Sequence, residues 1–140
     1  MAPGAMSIMV IVDTTVWIDF FSGRTLPHAT ALEDLLVNRE DICTCGIIVT
    51  EVLQGIRKDA DFIRTRDLFS NLIFLPMRYS TFLRSAEIYR ALRHKGITVR
   101  KPVDCMIASV ALEHDIALLD NDRDFEPIEK HFGMKRMPTR

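Results

Sequence analysis

Met9-Val-Ile-Val12-Asp13-Thr14-Thr15-Val16-Trp17-Ile18-Asp19 decides the fold class, because two periodicities meet in it without a linker. A short β-branched run, Ile8 to Val12, ends at an acid, and an amphipathic stretch from Thr14 to Phe21 begins at once. The same succession recurs along the chain. Further strand-like runs lie at Asp41 to Thr44, Leu72 to Leu75 and Ile116 to Leu119, with a weaker one at Met134 to Met137. Helical patterns separate them at Ala29 to Asn38, Val49 to Arg57, Ala60 to Asn71, Ser80 to His94 and Pro102 to Glu113. Alternation of this kind predicts a parallel sheet, since each parallel crossover needs a helix's worth of chain. The expectation is a three-layer α/β/α domain with a central parallel sheet of four or five strands. Pro102 suits the first position of its helix, where a missing N–H costs nothing, and Gly96 after His94-Lys95 reads as a helix end with cations in the last turn.

At 140 residues with 48% apolar side chains, the chain can bury a core without disulfides or a structural metal, which excludes a disordered protein. No low-complexity tract, repeat or linker marks a second domain, so residues 7–140 are expected to form one. Eighteen Lys and Arg against 19 Asp and Glu leave a net charge of −1, which excludes nucleic-acid binding by bulk positive charge but not by a local patch. Three Cys, two of them Cys43 and Cys45, make no closed disulfide set and no Cys-x-x-Cys pair, which fits a reducing, cytoplasmic setting. No apolar run approaches the roughly 18 residues a membrane span needs. Residues 1–6, Met-Ala-Pro-Gly-Ala-Met, lack the features of a signal peptide and read as a cloning remnant.

In a doubly wound sheet, ligands bind beyond the carboxyl ends of the strands, and acids gather there. Asp13 directly follows Val12, and Asp120 and Asp122 follow Leu119. Taken singly, each is explained as a helix cap. Asp104, in the first turn of its helix, shares a face with Ile107, Ala108, Ala111 and Leu112. Glu51 is expected at the start of a helix among Ile47, Ile48, Val49, Val52 and Leu53. A carboxylate among apolar neighbours needs a base or a metal, or it takes up a proton. Capping and ion pairing account for each acid separately but not for the arrival of all four at one end of one sheet with no Lys beside them in sequence. Oxygen donors without His or Cys suit Mg²⁺ or Mn²⁺ rather than zinc, so metal-dependent phosphoryl chemistry leads.

Four segments in order, Val12 to Asp19, Thr50-Glu-Val-Leu-Gln-Gly55, Asp104 to Leu112 and Asn121-Asp-Arg-Asp-Phe125, resemble a PIN-domain ribonuclease, above all the VapC-type toxins of prokaryotic toxin–antitoxin pairs. The resemblance runs from about Met9 to the C-terminus. It implies that Asp13, Glu51, Asp104 and Asp122 form an acidic quartet that binds Mg²⁺ or Mn²⁺ and activates water to cleave RNA, leaving a 5′-phosphate and a 3′-hydroxyl. It also implies that Thr15 orients Asp13 and that Asp124 is a supporting acid. A homodimer and an antitoxin partner are expected on the same ground. The antitoxin's C-terminal segment would lie in a groove, and Thr14 to Phe21 and Ala60 to Asn71 are the candidate walls. One departure stands out. Asp120 occupies a place that usually carries Thr or Ser, and a carboxylate there adds like charge beside Asp13 and Asp122.

RNA must still approach this acidic notch. The dense basic stretch holding Arg90, Arg93, Lys95, Arg100 and Lys101 leads straight into the Asp104 helix and is the candidate phosphate-binding surface, with Arg57, Lys58, Arg64 and Arg66 as weaker candidates. A plain solvated helix end explains each base equally well when taken alone. Trp17, Phe20, Phe21, Met77 and Phe82 are read as core or dimer contacts. Three alternatives compete. A haloacid-dehalogenase-like phosphatase would need a second Asp where Thr15 stands, and a receiver domain would need an acid after Leu75, where Pro76-Met77-Arg78 follows. The third is a PIN-like RNA- or protein-binding module whose site is spoiled by Asp120.

Overall fold

The structure, a computed structural model, describes residues 8–139; the segment read as a cloning remnant lies outside the described residues. Strand β1 (Met9–Val12) runs directly into helix α1 (Thr14–Phe21), with Asp13 as the only residue between them. The chain continues through α2 (Pro27–Val37), β2 (Asp41–Thr44), α3 (Gly46–Gln54), α4 (Asp59–Ser70), β3 (Ile73–Phe74), α5 (Tyr79–His94), α6 (Pro102–His114), β4 (Ala117–Leu119) and α7 (Glu126–Phe132). The four strands form one parallel sheet in the order β3-β2-β1-β4. Val10, Ile11 and Val12 point alternately to opposite faces and all three are fully buried, so helices cover the sheet on both sides. This is the three-layer α/β/α arrangement.

The strand order places a topological switch between β1 and β4. From β1 the chain steps outward to β2 and β3, then returns to add β4 on the opposite side of β1. Val12 is in register with Leu119, and the Asp13 N–H donates to the Leu119 carbonyl at 2.9 Å. The residues that follow these two strands therefore emerge side by side, at the carboxyl edge where such sheets bind ligands. Trp17 on α1 is fully buried, stacks on Phe21 and packs on Phe69 of α4 with ring centroids 4.7 Å apart. The α1–α2 turn is closed by His28, whose Nε2 lies 2.6 Å from Asp19 Oδ2.

Three features differ from the sequence reading. Met134 to Met137 is not a strand. It makes one parallel bridge, Leu118 to Arg136, with the Leu118 N–H donating to the Lys135 carbonyl and the Met137 N–H to the Leu118 carbonyl. Helix α3 begins at Gly46, three residues before the expected Val49, so Ile47-Ile48-Val49 is helical and Glu51 sits within the helix rather than at its start. Beyond Asp122 the chain forms a 3₁₀ turn, Arg123–Phe125, and then α7, neither of which periodicity reveals. Seven residues give barely two turns, too short for an apolar stripe. The legible signals were Pro127 near the start, Glu126 and Glu129 in the first turn, and Lys130 and His131 in the last.

Phe125 ties this C-terminal region to the core and is fully buried. Its replacement leaves a cavity beneath the loop that carries Asp122 and Asp124. Phe125→Ala is expected to lower the unfolding free energy by about 3–5 kcal/mol, read from the shift of the urea midpoint at unchanged slope.

Candidate metal centre

Asp13 caps α1 from the end of β1, and its Oδ2 accepts the Thr15 hydroxyl at 2.7 Å, with the Thr15 N–H at a longer 3.4 Å. Only 2% of the residue is exposed. Burial pushes its carboxyl up to about 6; the Thr15 bonds pull it back, and the Asp120 charge across the β1–β4 seam adds to the rise. Asp104 lies in the first turn of α6 with the helix's positive end behind it. It too is buried, and burial, then the charges of Asp13 and Asp122, push it up to about 7 against the opposing pull of Lys101. Its Oδ2 is buried without a hydrogen-bond partner.

Asp122 begins the 3₁₀ turn and accepts the Asp124 N–H at 2.9 Å. Burial alone would raise it, but the Asp124 N–H, Lys101 and Arg100 outweigh burial and hold it below the ordinary carboxylate value. Lys101 Nζ stands 3.3 Å from Asp122 Oδ2, and Arg100 Nε stands 3.3 Å from Asp124 Oδ2. Asp104, Asp122 and Asp124 each present an oxygen within 4.8 Å of the others. Oxygens that share a hard divalent ion at about 2.0–2.6 Å lie at most about 5 Å apart, so this spacing fits such an ion. The all-oxygen donor set and the orphaned Asp104 oxygen fit it as well.

The sequence-predicted acids are thus not equivalent in space. Asp104 and Asp122 stand together, Asp13 interacts with Asp104 through charge, and Asp124 belongs to the close group rather than to its margin. Glu51 stands apart from the three-carboxylate group. It is the sixth residue of α3, half-buried, and its Oε1 accepts the Thr14 hydroxyl at 2.8 Å, which links it to the neighbour of Asp13. Thr15 spends its hydroxyl on Asp13, so the general acid that a dehalogenase-like phosphatase needs at that position is missing.

The bases also divide. Arg90, Arg93 and Lys95 are exposed on and just beyond α5, with the Arg93 guanidinium 5.7 Å from the Tyr89 ring centre. Arg90 and Arg93 line a cavity of about 320 Å³ together with Pro102 and Met106 from the start of α6. Lys101 and Arg100, by contrast, face the acids. Lys101 is three residues before Asp104, so the reading that no Lys stands beside the acids fails here. Partial burial would lower the Lys101 ammonium, but Asp104, Asp122 and Asp13 more than offset this and raise it.

Asp120 behaves unlike the other acids. Its side chain is 1% exposed, and Arg136 grips it through Nη2 to Oδ1 at 2.7 Å and Nε to Oδ2 at 2.9 Å. The Asp122 N–H donates to the same Oδ1 at 3.1 Å. The expected excess of negative charge is therefore largely neutralised by a residue that sequence reasoning missed, since nothing in Met134-Lys-Arg-Met137 signals a site.

A PIN domain model matches residues 10–130. Ribonuclease VapC11 of Mycobacterium tuberculosis is 32% identical over 124 residues, which cover 87% of this chain and 92% of that protein. Among solved structures, a toxin–antitoxin complex from Klebsiella pneumoniae has a similar chain at 26% identity and a TM-score of 0.68, covering 85% of this chain and 92% of that one. VapBC2 from Rickettsia felis, bound to a DNA fragment from its promoter, shares the fold at 18% identity and a TM-score of 0.73, over 95% of this chain and 100% of that one.

The raised carboxyls of Asp13 and Asp104 fix the sign of a pH effect. Their folded values, about 6 and about 7, lie above the ordinary 3.8, so between about pH 4 and 7 the folded protein holds protons that the unfolded chain has released. In EDTA the melting temperature is expected to fall as pH rises through that window. Asp104→Asn should flatten the upper part of the fall, and Mn²⁺ should raise the melting temperature more at pH 7.5 than at pH 5. Scanning calorimetry across pH, with and without Mn²⁺, measures all three.

Proposed function

This chain belongs to the PIN-domain family, with VapC ribonucleases among its relatives, and from that premise we propose that it is a Mg²⁺- or Mn²⁺-dependent endoribonuclease acting as the toxin of a toxin–antitoxin pair. One observation carries the reading. Three carboxylates from two elements converge at the β1–β4 switch, beside buried Asp13, and one of their oxygens is buried without any donor.

In this reading Asp104, Asp122 and Asp124 would hold the ion, with Asp13 completing the site from the end of β1 and Glu51 supporting it through the Thr14 hydroxyl. A bound divalent ion would lower the pKa of a water and stabilise charge on the phosphate undergoing attack. Thr15 keeps Asp13 aimed, and the α6 N-terminus keeps Asp104 in place. A carboxylate of the group accepts the proton from the attacking water, because no His lies in the cluster among the described residues. Lys101, half exposed beside Asp122, would be placed to neutralise an RNA phosphate if a bound cation took over its share of that carboxylate. Arg100, Arg90, Arg93 and Lys95 extend that basic edge along the backbone of the substrate.

The antitoxin reading rests on a groove of about 630 Å³ lined by Phe21 of α1, Ile56, and Thr65 and Leu68 of α4, and rimmed by Arg57, Lys58 and Arg64. Asp61 shares that rim and pairs with Arg64, so the apolar floor between them suits a partner segment that buries apolar side chains. Tyr79, Phe82 and Leu83 on α5 are exposed apolar residues and are the proposed contact of a homodimer. Among the described residues no helix is long and apolar enough to cross a membrane.

The purified protein should cleave RNA with Mg²⁺ or Mn²⁺ and stop on addition of EDTA. Asp104→Asn and Asp13→Asn should each lower the rate at least about 10²-fold, since even outer-shell partners of a metal are worth 10–100-fold. If the Asn variants cut at the parent rate, the activity belongs to a contaminant. If the protein binds Mn²⁺ but turns over no RNA in a mixed pool, the binding-module alternative replaces the enzyme. Expression toxicity relieved by a small co-transcribed neighbour gene would support the toxin role.

Replacing Lys101 with Met removes a cation that shares Asp122 with the metal. Calorimetric Mn²⁺ titration is expected to show tighter binding by several-fold, while RNA cleavage slows and loses part of its salt dependence.

A further inference from the structure

Arg136 lies beyond α7, outside every motif that carries the chemistry, yet its guanidinium is taken up by acids, two of its three nitrogens by Asp120. Nε and Nη2 hold the two oxygens of Asp120, and Nη1 reaches Glu129 Oε1 at 3.5 Å. The arginine side chain is 21% exposed, which leaves it little room to contact a substrate. Its backbone is fixed by the parallel bridge to Leu118, two residues before Asp120.

Beyond Asp120 the support continues residue by residue. Asp120 Oδ1 accepts the Asp122 N–H, and Asp122 Oδ1 accepts the Asp124 N–H, so two nested turns set the direction of the acids. A Thr or Ser hydroxyl at that place could accept the same N–H without adding charge. A carboxylate does it with a stronger bond, but this one is 1% exposed, two residues from Asp122 and across the seam from Asp13. Left alone, it would be a buried charge pushed away by its neighbours.

We propose that Arg136 and Asp120 form a positioning pair: the Arg136 guanidinium holds the Asp120 carboxylate, which fixes the turn that aims Asp122 at Asp104 and Asp124. Arg136 acts through Asp120 and touches neither metal nor RNA. The proposal rests on the reading of the acids as a metal centre, and it makes a coupling claim. Arg136 is needed because residue 120 is an acid, and it becomes dispensable when a hydroxyl replaces that acid.

The test compares Arg136→Met, Asp120→Thr and the double variant by Mn²⁺ titration of the free protein, by kcat and KM on RNA, and by melting temperature. Arg136→Met is expected to weaken Mn²⁺ binding several-fold and to lower kcat about tenfold or more at unchanged KM. Asp120→Thr and the double variant are expected within about threefold of the parent in both, because a single coupled pair is non-additive. Should Arg136→Met fail to fold, Arg136→Lys, which keeps the charge but loses the fork, is expected to give intermediate values. A double variant as impaired as Arg136→Met overturns the proposal. So does a raised KM at parental kcat, which would make Arg136 an RNA contact, and so does a lowered melting temperature with Mn²⁺ affinity and kcat unchanged. If the parent binds Mn²⁺ and cuts no RNA, the ribonuclease reading fails, while the Mn²⁺ affinities of the four proteins still decide this one.

Discussion

Like charges in a small volume are the constraint on which this structure turns. Asp13, Asp104, Asp120 and Asp122 are all nearly buried around one seam of the sheet, where burial and then the charges of neighbouring acids push the Asp13 and Asp104 carboxyls up. Raising Asp104 from 3.8 to about 7 corresponds to a few kcal/mol against its charged form, a sizeable part of a domain's total stability of about 5–15 kcal/mol. The fold meets this load with donors of three kinds: a hydroxyl on Asp13, backbone N–H groups on Asp120 and Asp122, and cations on Asp120, Asp122 and Asp124. Asp104 receives the least, since one of its oxygens has no donor at all. The shortfall is local, and it falls at the point where a divalent ion would supply it.

The bases divide according to that constraint. Arg136 and Lys101 answer particular carboxylates, the first in a forked pair and the second as a single ammonium that is half exposed. A fork that is largely buried on one side is permanent, whereas a half-exposed ammonium at 3.3 Å can be exchanged for another cation. Arg90, Arg93 and Lys95 answer no acid within the site and face solvent. Near-zero net charge therefore conceals a separation of inner bases paired with acids from outer bases in solvent, and screening by salt reaches the outer bases far more than the inner ones.

Much of the architecture was legible because it follows from local pattern. Val10 to Val12 announce a strand covered on both faces, and an acid immediately after such a strand can only emerge at its carboxyl edge. Asp104 was legible for a similar reason, since Pro102 fixes the helix start and the apolar face then fixes the side on which the acid lies. Glu51 was placed less well because Ile47-Ile48-Val49 carries no period that separates a strand end from a helix start, and Gly46 opens the helix without a side-chain cap. Arg136 was illegible in principle. Its partner is 16 residues away in sequence, and the contact exists only because the tail lies along β4.

The Asp120–Arg136 pair is also asymmetric in what each partner needs from the other. An arginine at 136 opposite a hydroxyl at 120 keeps part of its side chain in solvent and can turn its head outward, at small cost. An aspartate at 120 without that arginine is a carboxylate with 1% exposure beside Asp13 and with no cation to pair it, which is costly to bury. The arginine alone is tolerable and the aspartate alone is not. A charged acceptor in place of a neutral one is therefore stable here only as half of a pair, and the geometry of Asp122 comes to depend on a residue fourteen positions further along the chain.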